Sequence, residues 1–139
     1  MSRPIEVAAV QVTARPGEVE RNLERFARAI REHARGAELI VGPETLAAGY
    51  DLELIDARGA ALAEDLDGPT ATLTRELAAE TGATIVVGVL ERDGEALHDS
   101  ALIVGADDAS TRIYRKTHLY PPERRRFRAG DELLTARTP

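Results

Sequence analysis

A glutamate stands where an apolar run stops. In the stretch LIVGPETLAAGY (39–50), three apolar residues lead through Gly42 and Pro43 to Glu44. Proline has no amide hydrogen to donate and biases the residue before it towards extended backbone. A strand should therefore end near Gly42 and project Glu44 from its carboxyl end, where α/β sheets commonly place ligands. A carboxylate so placed can take or give a proton. Lys116 closes a second such run, TRIYRK (111–116), and raises the same question at the end of its strand. Glu123 follows it within the basic segment ERRRF. Taken singly, each also fits a plainer role, Glu44 as an exposed acid or helix cap and the arginines as partners of Glu123 and Asp131.

Other chemistries find less support. The chain has no cysteine, so it supplies no disulfide, thiolate ligand or cysteine nucleophile. His33, His98 and His118 lie in unrelated contexts without metal-ligand spacing, and the glycines form neither GxGxxG nor a P-loop. No metal and no cofactor is expected. Ser100 falls within a strand, and Thr117 has no evident base. Residues 112–128 combine arginines with Tyr114, Tyr120 and Phe127, a pattern that nucleic-acid binders share. Against it, 24 acidic residues outnumber 18 basic ones for a net charge of −6, which disfavours a phosphate backbone as partner. Neither a signal peptide nor a membrane-spanning run is found, so a cytoplasmic protein without membrane contact is expected.

The elements that must position these residues follow from periodicity. At 139 residues with 43% hydrophobic content, the chain is expected to form one domain, 1–139, with a substantial core. Short apolar runs at 7–12, 38–42, 83–91, 96–105 and 111–116 predict five strands, the third and fourth joined as a hairpin. Val19, Leu23, Phe26, Ala27, Ile30 and Ala34 recur at helical spacing, and Gly36 follows as a stop. A second helix is expected around 53–64. A third starts at Asp67–Gly68–Pro69 and stops at Gly82. Turns are expected at 15–18, 92–95 and 106–110, and loop from Thr117 onward. The order βαβαβββ predicts an α/β fold, a mixed β-sheet with helices on one face.

In order, AAVQV, a helix with Asn22 near its start, LIVGPE…GY, ATIVVGVLER, LHDSALIV, YRKTHLYPPERRRF and AGDE resemble the nitrilase superfamily of carbon–nitrogen hydrolases. The resemblance runs through essentially the whole chain. It implies an αββα sandwich, here about half of it, with Glu44 as general base, Lys116 as catalytic lysine and Glu123 as a supporting, substrate-orienting glutamate. It further implies a small-molecule amide, nitrile or carbamoyl substrate and a homo-oligomer. Two features depart from the family's pattern. His98-Asp99-Ser100-Ala101 stands where Tyr-Asn-Ser-Ala is frequent. The family's nucleophile, a cysteine on a strand beyond the lysine loop, has no counterpart, so the sequence looks like the N-terminal half of such an enzyme, catalytically inactive by itself or surviving as an oligomerising interaction module.

Overall fold

The computed structural model describes residues 3–106 and 111–136; most of the turn expected at 106–110 lies outside them. Five strands form one mixed sheet in the order β1-β2-β3-β4-β5, with β1 Val7–Ala9, β2 Leu39–Val41, β3 Thr84–Asp93, β4 Ala96–Val104 and β5 Thr111–Arg115. The first three are parallel, whereas β3, β4 and β5 run antiparallel in sequence. β1 and β2 are three residues each, shorter than the apolar runs suggested. The chain leaves the ladder at Pro43, as the missing amide requires.

Helix α1 (Val19–His33) buries Leu23, Phe26, Ala27 and Ile30, four residues of the stripe read from the sequence. Helix α3 (Pro69–Thr81) begins on its proline and ends at Gly82, whose φ of 73° is the left-handed conformation that glycine adopts without penalty. The Glu64 carboxylate anchors its start, accepting from the Thr70 amide at 2.7 Å and the Thr70 hydroxyl at 2.6 Å. Burial raises the Glu64 carboxyl above its ordinary range, against the lowering effect of these two bonds. Both helices cover one sheet face, where Ile40, Ile85, Val87, Leu102 and Val104 are at most 1% exposed.

Strand residues alternate between faces, so Leu90 and Leu97 point to the opposite side from Val89. There they join Ile55 and Leu62 of α2 (Leu52–Leu62) and Phe127 in a second apolar cluster. Asp51 caps α2, its carboxylate accepting from the Leu54 amide at 2.9 Å. Past Lys116, a 3₁₀ turn at Pro121–Arg125 interrupts the loop expected there. The second face is thus closed at one end by α2 and the 3₁₀ segment. At the other end Val7 (52% exposed) and Val41 (37% exposed) lie open, with Val86, Ala101 and Ile103 partly covered.

Candidate active site

Two glycines let the backbone come close enough to form the site. A Cβ on Gly42 would stand 2.7 Å from the Phe26 ring, so that ring occupies the side-chain position. A Cβ on Gly88 would lie 2.5 Å from the Glu44 Cα, inside any normal contact. Gly88 in mid-β3 therefore lets the segment after β2 fold onto the sheet. Backbone bonds fasten it there, Gly88 N–H to Pro43 O at 2.9 Å and Leu46 N–H to Gly88 O at 3.0 Å. Thr45 takes φ 42°, a costly conformation for a β-branched residue, and is fully buried. Buried Asn22 holds the far side: it accepts from the Arg15 amide at 2.8 Å and donates to Arg15 O and Ala47 O at 2.7 and 2.9 Å.

Glu44 and Lys116 both follow the carboxyl ends of their strands and meet on the second face. The Lys116 Nζ donates to Glu44 Oε1 at 2.8 Å, to Asp99 Oδ2 at 2.8 Å and to Glu123 Oε1 at 3.0 Å. All three residues named from the sequence are therefore brought together, and Asp99 joins them. The carboxylate oxygens of Glu44, Asp99 and Glu123 lie within 4.8 Å of one another, and the lysine ammonium stands among them, where a cation bound by three carboxylates would sit.

Their surroundings differ. Glu44 keeps 48% of its side chain exposed, Asp99 5% and Glu123 1%. Glu123 is held on both oxygens, by the Tyr50 hydroxyl at 2.8 Å on Oε1 and by the Tyr120 amide at 2.7 Å on Oε2. Burial, followed by the bond to Glu123 and its charge, pushes the Tyr50 phenol up to about 12, so Tyr50 stays a donor. Burial and the neighbouring Glu44 push the Asp99 carboxyl up to about 7, against the pull of Lys116. Burial would also raise Glu44, but hydrogen bonds from Asp99 and Lys116 and the lysine's charge hold it below the ordinary range. Burial would lower Lys116; its bonds to the three carboxylates outweigh that and raise it.

Beside these groups the open face forms a shallow concavity of about 240 Å³, floored by Gly42, Val86, Gly88, Ala101 and Tyr114. It is small and mostly apolar, with charge at one edge. A fixed carboxylate and a fixed cation side by side can move a proton and stabilise an anion in the same step.

Behind the site, on the helix-covered face, Glu91 (3% exposed) accepts from Ser100 Oγ at 2.6 Å and from Arg115 Nε at 3.0 Å. Ser100 and Arg115 immediately adjoin Asp99 and Lys116 in sequence, and the ladder pairs them across β4 and β5. This clamp, buried at Glu91 and Ser100, ties together the strands that deliver Asp99 and Lys116.

Neither Asp99, noted in the sequence only as a departure from the family's pattern, nor Gly88 was named there as a site residue. The signal for Asp99 was a carboxylate within the mostly apolar strand LHDSALIV.

Residues 6–136 match the model of a family described as carbon–nitrogen hydrolase. The chain is 34% identical over 128 residues to a nitrilase from Pyrococcus abyssi (strain GE5 / Orsay), covering 91% of this chain and 48% of that protein. It is 31% identical over 131 residues to an (R)-stereoselective amidase from Pseudomonas sp, covering 94% and 46%. Its fold is similar to that of a CN-hydrolase superfamily protein from Xanthomonas campestris, solved with an arsenic adduct in its active site. That match has a TM-score of 0.86 and 29% identity over 99% of this chain and 50% of the other. The chain thus spans about half the length of the relatives it matches, and its sheet and helices make up about half of their fold.

Proposed function

The chain belongs to the carbon–nitrogen hydrolase family, and from that premise we propose that it carries the base and the cation of a Glu–Lys–Cys site. Such a site cleaves non-peptide C–N bonds in amides, nitriles or carbamoyl compounds. The cysteine is absent from this chain and would come from polypeptide corresponding to the unmatched half of the relatives. The observation that carries this reading is the 2.8 Å contact between Glu44 and Lys116 beside the open concavity.

The chemistry suits the geometry. A thiol near its ordinary pKa of about 8.5 is mostly protonated at neutral pH. Glu44 takes the thiol proton as sulfur attacks the amide carbon, and Lys116 stabilises the negative charge that develops on the carbonyl oxygen. Glu44 then gives that proton to the departing nitrogen and the C–N bond breaks. In the second half, Glu44 activates a water that displaces the sulfur and releases the acid. Glu123, fixed by Tyr50 and Tyr120, keeps the Lys116 ammonium oriented.

By itself the chain is expected to release no ammonia from amides or nitriles above background, for want of the nucleophile. The test is to join residues 1–136 to the cysteine-bearing half of the Pyrococcus abyssi nitrilase. Turnover that requires that cysteine supports the proposal; a folded fusion without turnover, or turnover by the isolated chain, overturns it.

A second reading, an oligomerising interaction module, draws on the exposed Val7 and Val41 of the uncovered face. Burying apolar surface there would contribute roughly 25 cal/mol per Å², and patches well above a few hundred Å² seldom stay bare on a monomer. The isolated chain is expected to sediment as an oligomer whose size grows with concentration. A monomer at all concentrations that binds no apolar dye would contradict this.

A further inference from the structure

The site holds one ammonium for three carboxylates, and the three are not equally provided for. Glu123 receives three donors, from Tyr50, Tyr120 and Lys116, so both its oxygens are hydrogen-bonded despite full burial. Glu44 receives Lys116 and is about half exposed, so its other lone pairs are open to solvent. Asp99 is 4% exposed, and Lys116 is the one side chain among the described residues that donates to its carboxylate. Its cross-strand neighbour on β3 is the apolar Leu90. An ionised carboxylate so placed has little water and a single donor that it shares with two other carboxylates, and that is costly.

We propose that Asp99 and Glu44 form an acid pair sharing one proton, held on Asp99 and donated to the Glu44 carboxylate. Asp99 is thereby a positioning residue: it decides that Glu44, the carboxylate facing the open concavity, is the ionised member. The behaviour of Asp99 agrees in direction, since burial and Glu44 push its carboxyl up to about 7 while Glu44 is held low. The charged and titratable groups facing Asp99 are Glu44 after β2, Lys116 after β5 and Glu123 in the 3₁₀ turn, with Tyr50 reaching Glu123 from its loop. The functional consequence rests on the hydrolase reading above, but the shared proton does not. While Asp99 holds its proton, the bond to Glu44 weakens that residue as a base; loss of the proton strengthens it.

The sign of the linkage is definite. The folded-state pKa of Asp99, about 7, lies above its ordinary 3.8, so its contribution to stability is full below about pH 4 and is lost as pH rises through 7. Asp99→Asn keeps the shape and removes the titration. Across that window the unfolding constant of the wild-type chain should grow, relative to the variant, by up to about tenfold per pH unit. Urea unfolding of both at pH 5, 6, 7 and 8 measures it. Comparing the two isolates Asp99 from Glu64, which titrates in both. Carbon-13 NMR of the wild-type carboxyls provides a second readout should the variant fail to fold. One carboxyl carbon of Asp type should titrate near pH 7, with the Glu44 resonance responding at the same pH. Parallel stability profiles, or no Asp carboxyl titrating above pH 6, would overturn the proposal. Neither measurement reads turnover, so failure here leaves the hydrolase reading standing, and failure of the fusion leaves the acid pair standing. In an active fusion, the variant should lack the rise in rate through pH 7 that the wild type shows.

Discussion

Glu44→Gln should lower the amide turnover of an active fusion by at least about a thousandfold while leaving the fold in place. General-base catalysis by a positioned side chain contributes about 10²–10⁴ in rate. Here the same carboxylate serves twice, on the thiol and on the water, so the upper part of that range applies. The substitution is nearly isosteric, and the Glu44 side chain is 48% exposed, so little burial energy is at stake. Glutamine keeps an oxygen to accept from Lys116 and loses only the ability to take a proton. Circular dichroism and urea unfolding of the fusion should therefore match wild type within about 1 kcal/mol, as expected for a partly exposed ion pair. Steady-state ammonia release supplies the rate. A loss under tenfold would remove Glu44 from the role of base, whatever its contact with Lys116.

Lys116→Met should do damage of two kinds, because this ammonium is both the proposed stabiliser of the anion and the shared partner of three carboxylates. Loss of one preorganised donor to a developing anion costs about 10²–10³ in rate. The stability effect is harder on the chain than for an ordinary surface pair. Removing one partner of a buried ion pair costs about 3–5 kcal/mol, and Lys116 is 31% exposed, so screening reduces this to about 1–3 kcal/mol. The loss should depend on pH. Without the lysine's pull, Asp99 protonates more readily still, so the penalty is smaller at pH 5, where the proton is present, than at pH 8, where the carboxylates repel one another. Urea unfolding at the two pH values measures the difference. An equal loss at both would mean that the carboxylates do not sense one another through Lys116.

Much of the fold was legible locally. The α1 stripe from Val19 to Ala34, the start of α3 at Pro69 and its stop at Gly82 rest on helical spacing and on the conformational limits of proline and glycine; α3 keeps those bounds, and α1 starts at Val19 but ends at His33, short of the stop expected at Gly36. The hairpin between β3 and β4 likewise follows from its turn residues. The placement of α2 was not legible, because its apolar residues Ile55 and Leu62 do not say which sheet face they will meet. The run from 7 to 12 read as one strand, yet the ladder keeps only Val7–Ala9, since a parallel partner of three residues limits how far pairing extends.

The site divides in the same way. By itself the sequence determined that Glu44 ends a strand, because Pro43 cannot donate to a ladder, and that Lys116 ends another, and the ordered motifs around them identify the family. Their meeting was decided by tertiary structure. Lys116 follows Arg115, which the antiparallel register pairs with Ser100, and this delivers the lysine to Asp99. Glu44 arrives from a parallel strand, let down onto the sheet by the missing side chain of Gly88. Which carboxylate keeps the proton was decided there too. A charge is set by its neighbours and by water, and neither the three donors on Glu123 nor the burial of Asp99 is written at those positions in the sequence. They exist only once β4, β5 and the 3₁₀ turn have closed around one ammonium.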